Sequence, residues 1–203
     1  MPAEQGRRRA VLVLARYSAA AAAPSGVDPL ALAEAALADS YEVVADLVGV
    51  ASGIAGDDAV QALLWPGALH LPDEPLVDLA QRLAPDADEL VLVPGDVPDL
   101  PGLVLAKVFK VLHRADVVVA PERGGPGCVA LGLRLPLATW LRSEMLDLDD
   151  DPFDRLLSRA PRRTACLRAP DWHRLRSPAD LRRLDPRLEG WEQTRELLGD
   201  GGP

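Results

Sequence analysis

The chain has 203 residues and a formal net charge of −9; 48% of it is apolar and only 4% aromatic. That length suffices for one domain with an aliphatic core and no need of covalent staples. The acidic balance argues against nucleic acid as a partner, since phosphate binding needs a basic face. The arginines gather late, from Arg155 to Arg187, where a solvated helix face accounts for them. Cys128 and Cys166 stand far apart and outside metal-ligand spacing, which excludes a disulfide framework and a zinc site. Reduced thiols in a cytoplasmic protein fit best. No run approaches the ~18 apolar residues of a membrane span.

Residues 1–9 are expected to be disordered. Arg7-Arg8-Arg9 followed by AVLVLA mimics a secretory signal, but Arg16 interrupts the apolar run after about six residues, short of the ~7–15 such a signal needs. Ala10–Ala15 instead reads as a central parallel strand. Asp28 caps a helix that opens on Pro29 and carries Leu32, Ala33, Ala36, Leu37, Tyr41 and Val44 at helical spacing. Leu47–Ser52 is expected as a second strand, closed by Gly53 and Gly56. Ala59–Trp65 leans to a short helix, Ala68–Leu71 to a short strand, and Glu74–Leu83 to a helix capped by Asp73.

The stretch from Glu89 to Leu133 organises the rest. Leu90–Val93 is a buried strand that stops at Pro94-Gly95-Asp96, with Asp96 and Asp99 in a Pro-broken turn. A helical pattern leads to a second strand, Val117–Ala120, which ends in the turn Pro121 to Gly127. Strand, acidic turn, helix, strand and glycine turn make a βαβ unit. Ligands of open α/β sheets gather beyond the carboxyl ends of the strands. Both turns follow strands of one direction, which places Asp96 and Gly124–Gly127 in one concavity.

Beyond Leu133, Pro136–Arg142 and Pro152–Ala160 read as helices. Between them the acidic run Asp147, Asp149, Asp150 and Asp151 could bind metal, and the plainer reading is a solvated loop that caps the next helix. Thr164–Leu167 is a late strand, Ser177-Pro178-Ala179-Asp180 a helix start, and Trp191–Leu198 the last helix. The fold class is therefore α/β: a three-layer, doubly wound, mostly parallel sheet in a single domain, 10–198, with a loose tail at 199–203.

Carboxylates at a strand end, as Asp96 and Asp99 are, can hold Mg²⁺ against nucleotide phosphates. The plainer alternative is that Asp99 caps the following helix and Asp96 bonds turn amides. The glycines of Glu122-Arg123-Gly124-Gly125-Pro126-Gly127 let backbone amides approach a ligand, and the plainer alternative is a tight connection. It is neither a Walker loop, for want of Lys-Ser or Lys-Thr, nor a dinucleotide fingerprint, whose glycine spacing differs. His70, His113 and His173 are scattered, and no serine sits in a nucleophile elbow.

The central stretch resembles small nucleotidyltransferases and glycosyltransferase-like proteins of the nucleotide-diphospho-sugar transferase (GT-A-like) fold. Asp96-Val97-Pro98-Asp99-Leu100 is similar to the family's D-x-P-x-L turn, which meets metal and nucleotide. Ala120 to Gly127, with Ala130-Leu131, is similar to the A-P-D-R-x-G-x-G-T-N-A-L turn of phospholactate guanylyltransferases, although Cys128 and Val129 stand where T-N would be. Those enzymes move a nucleoside monophosphate onto a small phosphorylated acid. The Pro98-to-Pro101 spelling is closer to an uncharacterised glycosyltransferase-like branch.

Two departures stand out. The loop that grips the triphosphate keeps Arg16 but continues Ser18 to Ala23 as a serine and five alanines. The late D-x-D-T-P-x-D-L element has Arg174 and Arg176 at its acidic positions.

The resemblance implies Asp96 as metal ligand and Asp99 as its catalytic assistant. Nucleotide or substrate would meet Arg16, Glu122, Arg123, Gly124, Gly125 and Gly127. Arg174 and Arg176 would stand in as fixed positive charge. Mg²⁺ is the implied cofactor, weakly held or lost. The partners implied are a nucleotide and a small anionic substrate, not nucleic acid or membrane, with a homodimer left open. The alternative reading is a non-catalytic relative that keeps the fold as a ligand-binding or partner-binding module.

Overall fold

The computed structural model describes residues 7–199. Seven strands form one sheet: β1 (Arg9–Leu14), β2 (Ala51–Ala55), β3 (Leu69–Leu71), β4 (Glu89–Pro94), β5 (Val117–Pro121), β6 (Cys128–Arg134) and β7 (Cys166–Arg168). Their order is β3-β2-β1-β4-β6-β5-β7. All neighbours are parallel except those of β6, which runs antiparallel to both β4 and β5. The helices are α1 (Pro29–Ala45), α2 (Leu76–Leu83), α3 (Gly102–Leu112), α4 (Phe153–Arg159) and α5 (Glu192–Leu198). Among the described residues no helix is long and apolar enough to cross a membrane.

The alternation of the strands sets up the three layers. In β1 and β4, Leu12, Leu14, Leu90 and Leu92 point to one face, where Leu76 and Leu79 of α2 and Leu156 of α4 cover them. Val11, Val13, Val91 and Val93 point to the other, under Leu37, Tyr41 and Val44 of α1 and Leu105, Val108 and Leu112 of α3. Cover on both faces is what a continuous aliphatic strand requires, so the expected doubly wound sheet is borne out. None of the three strands predicted to be central lies on an edge.

A third cluster has no counterpart in the sequence reading. Ala19 and Ala22, in a 3₁₀ turn over Ser18–Ala22, are buried with Leu32 and Ala36 of α1 against Leu175, Leu181, Leu184 and Trp191. These alanines thus form an apolar seat for the C-terminal segment.

Several expected elements shift. Residues 1–6 and 200–203 of the expected disordered terminus and loose tail lie outside the described residues. Arg7 to Arg9, expected within the disordered terminus, are ordered. Arg9 opens β1, Arg8 pairs with Asp88, and Arg7 and Arg9 both reach the buried Glu89. The helix expected at Glu74 starts after Pro75, without a side-chain cap from Asp73. Pro136–Arg142 forms only the 3₁₀ turn Thr139–Leu141, and the Ser177 start leads into another, Asp180–Arg183.

The second strand is Ala51–Ala55, so Gly53 lies inside it instead of closing it. A Cβ there would sit 2.3 Å from the Leu69 carbonyl oxygen and 2.6 Å from the Leu69 Cβ. The missing side chain is what lets β3 join the sheet. Gly53→Ala is expected to cost about 1–3 kcal/mol through overpacking. Denaturant unfolding checks the magnitude, and faster amide exchange confined to β3 checks the cause.

Candidate functional site

Asp96 follows β4, and its carboxylate is fully buried. The backbone brings its partner to it, because the Leu175 amide donates to the Asp96 carbonyl at 2.8 Å. Arg174 then meets the carboxylate in a two-pronged pair: Nε to Oδ1 at 2.7 Å and Nη2 to Oδ2 at 2.8 Å. Arg174 is itself only 1% exposed. Its remaining donors go to the carbonyl of Leu148 at 2.7 Å and to Asp149 at 3.0 Å. Burial alone would pull this guanidinium down, but Asp96, Asp149 and Glu122 outweigh it and hold its pKa above the ordinary value.

Arg176 lies beside this pair. Its Nε is 3.6 Å from Asp96, its Nη1 3.8 Å from Glu122, and its Nη2 pairs with Asp149. Glu122 is folded back into its own glycine turn and accepts from the Gly127 amide at 3.1 Å. A Cβ at Gly127 would lie 2.6 Å from the Leu148 carbonyl oxygen and 3.0 Å from Arg174 Nη1, so only glycine fits beneath the acidic loop. Arg16, just past β1, pairs with Asp147 at 2.8 Å.

The structure therefore gathers Asp96, Glu122, Gly127, Arg174 and Arg176 at one edge of the sheet, linked through Asp149 to the loop that pairs with Arg16. Asp99 is buried next to them but faces elsewhere. It accepts from Trp172 Nε1 at 3.1 Å and from the Asp185 amide at 3.0 Å, with His173 Nε2 also 3.0 Å away. It does not cap α3, whose N-terminus carries Pro101 and no side-chain cap. Arg123 pairs with Asp171 at 2.9 Å and lies over the Trp172 ring. Gly124, at φ +80, faces Arg183, and Gly125 packs against the Glu122 carboxylate.

Sequence reasoning missed the pairing of the acidic loop with the site. Asp151 accepts from the Phe153 amide at the start of α4, although the N-cap position itself is Pro152. Asp147 and Asp149 are about half exposed, as a solvated loop would be, but they also pair with the arginines of the site. The two thiols are inert: burial pushes both Cys128 and Cys166 up to about 12.

The implied metal does not fit these residues. A divalent cation needs open carboxylate oxygens, and both oxygens of Asp96 are engaged by Arg174. Among the described residues, no three acidic, histidine or cysteine side chains come together as a ligand set. Asp96, the implied Mg²⁺ ligand, thus has both carboxylate oxygens on a guanidinium, as the expectation of a weakly held or lost metal requires.

The fold is shared with solved nucleotide-diphospho-sugar transferase-like and cytidylyltransferase structures. A family model described as guanylyl transferase CofC like matches residues 76–144, from α2 through β6 and beyond. Among solved structures, a candidate nucleotide-diphospho-sugar transferase of Desulfovibrio desulfuricans G20 is 19% identical with a TM-score of 0.66, covering 93% of this chain and 94% of that one. A 4-diphosphocytidyl-2C-methyl-D-erythritol synthase of Anaerococcus prevotii DSM 20548 is 9% identical with a TM-score of 0.61, over 88% and 97%. Rv0371c of Mycobacterium tuberculosis H37Rv, solved in complex with manganese, is 20% identical with a TM-score of 0.50, over 88% and 97%. No curated protein sequence matches. These likenesses show the fold, and the matched segment supports a function of nucleotidyltransferase type.

Proposed function

We propose that the chain is a divergent nucleotidyltransferase-type protein that engages an anionic, phosphate-bearing ligand without a divalent cation. One observation carries this reading: the two-pronged Arg174–Asp96 pair at the end of β4. The pair takes up both Asp96 oxygens, so the positive charge left for a ligand is that of Arg176 beside it and of Arg16. Arg174 stays buried as the anchor. Arg176 and Arg16, both partly open, bind phosphate oxygens as planar forks. The finer reading, drawn from the matched segment, is transfer of a nucleoside monophosphate to a small phosphorylated acid, or of a sugar. No step of it is routed through a metal.

The alternative, a non-catalytic binding or partner module, draws support from the self-satisfaction of the site. Asp96, Asp99, Glu122 and Arg123 all have partners within the chain. A thermal-shift panel of the four common nucleoside triphosphates, each with Mg²⁺ and with chelator, separates the readings. A ligand at about 100 times its dissociation constant adds roughly 2.7 kcal/mol to stability. The expected result is a shift of equal size in both conditions. A shift seen only with Mg²⁺ overturns the metal-free site, and no shift at any concentration favours the non-catalytic module.

A further inference from the structure

Two partly open arginines of the proposed anion site, Arg16 and Arg176, and the buried Arg174 beside them are all ion-paired to one short loop. Arg16 meets Asp147 at 2.8 Å, Arg174 meets Asp149 at 3.0 Å, and Arg176 meets the same Asp149 oxygen. Between the two aspartates lies Leu148, which is buried in the core. Its carbonyl accepts from the Cys128 amide at 2.9 Å and from Arg174 at 2.7 Å. The loop is thus pinned at its middle and offers one carboxylate on either side of the pin. Both carboxylates are 48% exposed, so each can turn into solvent while Leu148 stays in place. Asp150, the next acidic residue, is exposed and has no ion-pair partner among the described residues.

A carboxylate and a phosphate compete for the same guanidinium fork. We infer that the Asp147–Asp149 segment is an internal phosphate mimic, an autoinhibitory strap whose two carboxylates occupy Arg16 and Arg176 until a phosphate-bearing ligand displaces them. The inference rests on the proposed anion site and adds to it a device that sets its affinity. A site that is competent only while the strap is off shows an affinity reduced by that fraction of time. This also accounts for a charged loop lying across the mouth of a site whose own glycine turn is already closed on Glu122.

The test uses the full chain with inorganic pyrophosphate as probe, in chelator, by titration calorimetry. The double variant Asp147→Asn with Asp149→Asn keeps the shape of both side chains and removes their charge. Asp150→Asn removes one charge from the same loop without touching a pair. The double variant is expected to bind pyrophosphate at least about tenfold tighter than the unmodified protein, and Asp150→Asn within about twofold of it. If the double variant does not fold, the two single variants are titrated instead, each with an intermediate gain expected. Equal affinity in the unmodified protein and the variants overturns the strap and leaves the anion site standing. An equal gain from Asp150→Asn also overturns it, because general charge then explains the effect. No binding by any of the proteins overturns the anion site itself, and the strap with it.

Discussion

Arg174→Met is expected to destabilise the protein by about 3–5 kcal/mol at neutral pH, the usual cost of leaving one member of a buried ion pair without the other. For a chain of this size that is a fall of roughly 6–20 °C in Tm. The magnitude follows from burial, because Arg174 and Asp96 side chains are each 1% exposed, so solvent cannot take over the charge. The guanidinium also satisfies the Leu148 carbonyl, so its loss loosens the acidic loop as well. Removing both charges, as Arg174→Met with Asp96→Leu, is expected to recover most of the loss, since an apolar replacement of a buried pair is often neutral. The check is a double-mutant cycle by denaturant unfolding. A single-variant cost below about 1 kcal/mol would mean that Asp96 finds another partner, and Arg174 would no longer be the keystone of this edge.

The cycle bears on function as well as stability. If the pair anchors the anion site, the double apolar variant keeps the fold and loses pyrophosphate binding. If the module is non-catalytic and its ligand lies elsewhere, the same variant keeps the fold with nothing lost. Stability and binding therefore separate the two readings of one ion pair.

The sheet was legible in the sequence because β1, β4 and β5 carry unbroken aliphatic runs, which only a strand covered on both faces can use. β6 was not. Its CVALGLR run follows directly on a glycine turn and holds Gly132 in its interior, so turn and strand have no compositional border. The resulting hairpin inserts β6 between β4 and β5, which local pattern cannot reveal. At the site, Asp96 and the glycine turn follow parallel strands, and Arg176 lies between Asp96 and Glu122. Arg174 and Arg176 were found through the resemblance, as arginines where acids are expected. Their saturation of Asp96 was not foreseeable, because it depends on a contact 78 residues apart in the chain. The pairing of the acidic loop with Arg16, Arg174 and Arg176 was missed for the same reason, since the arginines that face it are distant in the chain. Asp39 escaped notice too, as one polar residue within the apolar face of α1.

That residue gives the second large effect: stability is expected to rise as pH falls from 7 to about 5. Asp39 is fully buried, and its two oxygens accept from the amides of Gln193 at 3.1 Å and Thr194 at 2.7 Å, capping α5 from the side of α1. Burial pushes its pKa up to about 6, against the pull of the bonds from Thr194 and Gln193, and Glu42 adds to the rise. A carboxyl raised in the folded state binds its proton there before it does in the unfolded chain. Between the ordinary value near 3.8 and about 6 the folded state therefore holds more protons, and stability falls as pH climbs through that window. The full span is worth about 3 kcal/mol at about 1.4 kcal/mol per pH unit. Asp88, Asp147, Asp171 and Asp185 are held below their ordinary values and act with the opposite sign, but only at lower pH. Unfolding by denaturant at pH 5 and pH 7, in the unmodified protein and in Asp39→Asn, isolates the effect, since histidine protonation cancels in the comparison. Asn keeps one acceptor for the α5 amides and cannot titrate. The gain on acidification is expected to shrink by about 1–2 kcal/mol in Asp39→Asn, the part of the span that lies above pH 5. An unchanged gain would show that Asp39 is ionised at pH 5 in the folded protein and that the two amide bonds outweigh burial.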